Sequence, residues 1–186
     1  MLQIVNLIIG ISLAFSQAPL SRQEFEARHN ELGEPARFFI ESCIAHTVMA
    51  DDLAVSLDGD KRYLRYDEKV SRPFLRGLPG MAWGRQGLDS RYAIALTESG
   101  VCTLHAQNSD RETSMKELKA LIDLLYPGND AKPVTDERAV PNNEFVASEG
   151  WAVYDARSNR TYWFTVIVPK KDGANFGAAY TVLVTR

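Results

Sequence analysis

Apolar positions recur along this chain with two different periods, and the change from one to the other marks its elements. Between Glu98 and Tyr126 the sequence ESGVCTLHAQNSDRETSMKELKALIDLLY passes from alternation to helical spacing. In the run from Val101 to Ala106, period two puts Cys102, Leu104 and Ala106 on one face of a strand. Asn108-Ser109-Asp110 interrupts it. Met115, Leu118, Leu121, Ile122 and Leu125 then form one apolar helical stripe, which Pro127-Gly128 ends. Ser109 stands three residues before Glu112, the spacing of a capping box, and Asp110 adds negative charge to the first turn. A stripe of this kind needs a sheet beneath it, so strands are expected elsewhere.

Tyr92 to Thr97 alternates large with small residues, and Glu98-Ser99-Gly100 can turn it back into the Val101 strand. The C-terminal part reads as three strands: Trp151 to Asp155, Thr161 to Val168 and Ala178 to Thr185. Both faces of Tyr162 to Val168 are apolar, which predicts a central strand covered on both sides. The polar stretch from Gly128 to Glu149, with Pro133 and Pro141, reads as a long connection. Upstream, Ser21 to Leu32 predicts a helix opened by a Ser21/Glu24 capping box and stopped by Gly33. Pro35 suits the first turn of a second helix, whose buried side holds Phe38, Phe39, Cys43, Ile44 and Val48. Asp51-Asp52 marks its end or a break before Leu53. Five glycines and two prolines between Asp58 and Ser90 predict loops.

Two helices, two strands, a helix and three strands make an α+β order. From about Arg91 to Arg186 the ββαβββ succession resembles the profilin-like or PAS-like arrangement. That resemblance implies an antiparallel sheet of about five strands, behind two N-terminal helices. Folds of this kind serve many sensory and protein-binding modules.

The first 18 residues carry no charged side chain. An apolar run from Ile4 to Phe15, broken by Asn6, leads to Ser16-Gln17-Ala18, which reads as a secretory signal peptide cut after Ala18. The rival is an uncleaved anchor, but the run is shorter than the roughly 20 apolar residues a span needs. Residues 19–186 are then expected to form a single α+β domain, periplasmic or secreted, without a stable membrane span after cleavage. The leader, the Cys43 helix and the strand-to-helix passage at Cys102 also resemble uncharacterised exported proteins of proteobacteria, a likeness that implies no activity. A net charge of −3 argues against a nucleic-acid binder.

Export makes a disulfide the simplest use of the two cysteines, Cys43 and Cys102. Each also opens a C-x-x-H string, with His46 and with His105, and two such strings raise the alternative of zinc. On a strand, however, residues three apart face opposite ways, so Cys102 and His105 would not share a metal. No nucleophile elbow, zinc-protease motif or phosphate loop is present, so no catalytic residue, cofactor or metal is expected. Arginines recur among aromatic residues between Tyr63 and Arg91. There Arg72, Arg76, Trp83 and Arg85 form a candidate surface for an anionic or planar ligand, with a solvated, carboxylate-balanced surface as the plainer alternative. The chain is therefore expected to be a non-catalytic module binding a protein or a small anionic ligand. A small envelope hydrolase using His46 or His105 is one alternative, and an inhibitor of a toxin or lytic enzyme another.

Overall fold

The structure, a computed structural model, describes residues 20–47, 50–87, 91–107, 109–128, 131–134, 146–156, 158–170 and 177–185. The expected leader and Val48 lie outside them. The chain enters through α1 (Arg22–Glu31) and α2 (Glu34–Phe39) and winds through a π turn (Ile40–Ile44) into α3 (Ala45–Thr47). Then follow α4 (Ala50–Gly59), β1 (Leu64–Arg65), α5 (Glu68–Ser71), β2 (Gly80–Gln86), β3 (Arg91–Thr97) and β4 (Cys102–Ala106). The helix α6 (Arg111–Leu125) leads to β5 (Lys132–Pro133), β6 (Val146–Asp155), β7 (Arg160–Pro169) and β8 (Ala178–Thr185). No helix among the described residues is long and apolar enough to cross a membrane.

The α+β class holds, but the sheet has eight antiparallel strands, not about five, in the order β1-β2-β3-β4-β8-β7-β6-β5. Two of the additions are two-residue edge strands. The third, β2, lies where the sequence predicts loops. Its glycines mislead: a Cβ on Gly84 would stand 2.1 Å from the Tyr66 hydroxyl, so the residue is small because a ring lies on it. Lys132–Pro133 and residues 146–149 likewise turn the expected connection into strand.

Register sorts the sheet into two unlike faces. On the first, Trp83, Ile94, Leu104, Tyr180 and Val166 line up across five strands. All are buried beneath Phe39, Ile40, Leu118, Leu121, Ile122 and Leu125 of the helical layer. Burying one such Leu or Ile contributes about 1.5–3 kcal/mol. On the second face the matching rows run Ala82–Ala95–Thr103–Thr181–Thr165–Gly150 and Gly84–Ala93–His105–Ala179–Ile167. Among the described residues, Tyr66, Phe74 and Leu75, from the segment around α5, cover the β2–β3 end of it, and Phe74 reaches His105 on β4. β7 is central, but Trp163 and Thr165 on its second face are partly exposed, so it is not sealed on both sides as its sequence predicts.

Helix ends follow local chemistry. Ser21 and Glu24 form the expected capping box on α1. On α6 the cap is Asp110, which accepts from Thr113 N–H at 2.8 Å, and not Ser109. Ser109 Oγ is buried without a partner there. Asp51-Asp52 is neither an end nor a break, because α4 runs through it. Cys43, on the π turn, is joined to Cys102 of β4 with Cα atoms 5.4 Å apart. The bridge ties the helical layer to the middle of the sheet.

Candidate functional site

Arg85 is the next-to-last residue of β2 and points to the helical side. Its guanidinium carbon lies 3.7 Å from the centre of the Phe38 ring on α2 and 5.2 Å from that of Tyr63. Nη1 donates to Tyr63 Oη at 2.8 Å. Phe38 is held in turn by an edge contact with Tyr92 at 4.7 Å, and Tyr92 Oη donates to Glu34 Oε2 at 2.9 Å. No carboxylate of the described residues lies within ion-pair distance of Arg85. A permanent cation is thus half-buried and fixed by two rings, with one donor bonded to Tyr63 among the described residues.

The ladder positions the neighbours. Where β2 ends, β3 begins and β4 ends, two depressions adjoin. One, of about 260 Å³, is lined by Arg62, Leu64, Tyr66, Gly84, Arg85, Gln86, Arg91 and Tyr92. The other, of about 200 Å³, is lined by Tyr66, Phe74, Arg91, Tyr92, Ala93, His105, Ala106 and Gln107. Three guanidinium groups line the first, and no carboxylate of the described residues lines either. Asp60 stands nearby but is engaged by Arg62 at 2.6 Å, and the Arg62 hydrogen bonds hold its carboxyl below the usual range. Burial pushes the His105 imidazole down to about 4, helped by the charge of Arg76, so at neutral pH it is uncharged.

The expected surface is split. Arg72 and Arg76 are exposed on the segment that covers the second face, Arg85 belongs to the first face, and Trp83 is fully buried in the core. Trp83 Nε1 donates to Asp58 at 2.7 Å, a structural contact. Of the arginines recurring near aromatic residues, Arg85 and Arg91 come together, and Arg62, which the sequence pattern left out, joins them. Tyr92 emerges as a wall of both depressions, and Phe38 as the ring that backs Arg85. Their signal was present only as buried positions on an amphipathic helix and on an alternating strand.

Other sites are weaker. Cys102 and His105 do face opposite sides of β4, and among the described residues no group of three metal-ligating side chains converges. Among the described residues, His105 has no carboxylate or hydroxyl partner of the kind a hydrolytic triad uses. A larger groove of about 780 Å³ runs along the outer side of α6. Its walls mix charges of both signs, including a Glu112–Lys116 pair whose side chains are three-quarters exposed. A half-buried carboxylate, Glu117, accepts from Gly33 N–H at 2.8 Å and ties the α1–α2 turn to α6, with its pKa raised mainly by burial. Comparison with protein-family models, with curated proteins and with solved structures finds no match.

Proposed function

We propose that this chain is an exported, non-catalytic binding module that takes a small anionic ligand in the depression beside Arg85. The observation that carries this reading is the Arg85 guanidinium, held over the Phe38 ring and bonded to the Tyr63 hydroxyl, with no carboxylate of the described residues within ion-pair distance. A cation so fixed loses little freedom when an anion arrives, and its fork suits a carboxylate, sulfate or phosphate. Arg91 adds charge to the same wall, where Arg62 stands paired with Asp60, and the tyrosines offer it a flat side. Export is supported by the Cys43–Cys102 bridge, since such bonds persist in oxidising compartments.

The test is a calorimetric titration of the chain with acetate, benzoate, sulfate and phosphate at two salt concentrations. At least one anion binds saturably and more weakly at high salt. Arg85→Gln lowers that affinity at least tenfold, while the double change Arg72→Gln, Arg76→Gln leaves it unaltered. No saturable binding by any of the four, or equal binding to the Arg85→Gln variant, overturns the proposal.

A further inference from the structure

Both edges of the sheet are two-residue strands, but their backbones are not alike. At β5, Val134 N–H donates to Gly150 O at 2.8 Å, so the residue that turns its backbone outward is Pro133. Proline has no N–H to offer, and exposed Lys132 stands beside it, so this edge is closed to a further strand. At β1, Tyr66 N–H donates to Ala82 O at 2.9 Å, so the outward residue is Arg65, whose N–H and C=O both face away from β2. β1 is the outermost strand on its side among the described residues, and its Leu64 is 71% exposed.

We infer that β1 is an interaction edge: it takes the C-terminal residues of a partner polypeptide as an added antiparallel strand, and Arg85 receives the free carboxylate. This rests on the reading of Arg85 as an anion receptor and specifies what the anion is attached to.

Register and charge set the direction. From Leu64 to Arg65 the partners on β2 run from Gly84 back to Trp83, so β1 leads away from Arg85. An antiparallel strand beside β1 therefore runs toward Arg85 and ends there. A parallel strand would bring its amino end to the arginines instead, a like-charge meeting. The depression of about 260 Å³ lies at this end, with Arg62, Leu64 and Arg85 among its walls. Arg62 is taken by Asp60, so the carboxylate falls to Arg85. A residue opposite Arg65 exchanges two backbone hydrogen bonds with it, and the last residue then lies beside Leu64, which an apolar side chain covers. Backbone bonds admit many sequences, while the carboxylate and the apolar last residue select the end of a chain.

The test titrates the intact chain with the acetylated tetrapeptide Thr-Val-Thr-Leu, as the free acid and as the C-terminal amide. The acid binds about tenfold more tightly than the amide, the worth of one charge-assisted hydrogen bond. Arg65→Pro, which copies the device of β5, lowers affinity for the acid at least tenfold and leaves acetate and phosphate binding as it was. Arg65→Ala, which keeps the N–H, retains peptide binding. Circular dichroism confirms that both variants are folded. In the unaltered chain the Arg65 amide exchanges with deuterium more slowly when the acid is bound, a readout that needs no variant. Equal affinity for acid and amide, binding that survives in Arg65→Pro, or unchanged exchange at Arg65 overturns this inference. So does a dimer of the chain that Arg65→Pro dissolves, since a second copy would then occupy the edge. Failure of the peptide alongside Arg85-dependent binding of acetate or phosphate overturns it alone and leaves the anion site standing. Failure of the peptide and of every small anion overturns both readings.

Discussion

Trp83 and Trp163 belong to the same sheet and face opposite ways. Trp83 has no exposed surface, packs under the helices and gives its indole N–H to Asp58. Trp163 is partly exposed and gives its own to Thr185 at 3.1 Å, one strand away. The first face is a packed core pinned by a disulfide. The second is a floor of alanine, glycine and threonine, partly roofed by residues 66–75. The candidate site opens where the two meet, with Arg85 on one side and His105 on the other. A rigid face supplies the fixed guanidinium, and the partly roofed one leaves room beside it.

The largest effects should fall on the first face. Trp83→Ala removes a fully buried indole and leaves Asp58 without its donor, at a cost of about 3–5 kcal/mol in chemical denaturation. Removing the disulfide by Cys43→Ala with Cys102→Ala frees a loop with a sequence separation of 59, worth about 4 kcal/mol in the chain-entropy model. Reduction of the unaltered chain should lower its melting temperature comparably. A small response to both changes would mean that the helical layer is not what holds the sheet.

The second face should answer to acid. The folded His105 value of about 4 lies below the ordinary 6.5, so its contribution is present above pH 6.5 and is lost as pH falls toward 4. The loss is about 3 kcal/mol in all. The raised carboxyl of Glu117 acts with the opposite sign, so the quantity to measure is the difference between the chain and its His105→Phe variant. That difference should shrink steadily between pH 6.5 and 4, and a flat difference would contradict the burial of the imidazole. Trp163→Ala should cost less than Trp83→Ala, because part of its area stays in water after folding. Smallest of all, Arg72→Gln with Arg76→Gln should change stability by less than about 1 kcal/mol, since both side chains are exposed.

Much of the first face was legible in the sequence. The β4-to-α6 passage, the α1 capping box, the pairing of the cysteines and β8 all follow from period, caps and turn residues. The errors share a physical cause: contacts across the fold override local signals. Gly84 looks like a loop glycine until Tyr66 is placed on it. Ser109 has capping spacing, yet Asp110 is one residue better placed for the Thr113 N–H. Asp51-Asp52 suggests a break, but Leu53 and Leu57, both buried, keep α4 continuous. The arginines show the same limit at the site. Arg72, Arg76 and Arg85 are close in sequence, but β2 begins between them and its alternation turns Arg85 to the helical face, which a reading of the stretch as loop does not record. Arg62 and Phe38 come from segments with no shared pattern, so only the folded chain brings them to Arg85.

The most direct test of the account is to map backbone amide shifts during titration with benzoate. The predicted changes concentrate at Tyr63, Tyr66, Arg85, Arg91 and Tyr92, extend to His105 and vanish in Arg85→Gln. Changes centred instead on Glu112, Lys116 and Glu149 along the outer groove of α6, or unaltered by that substitution, would contradict it.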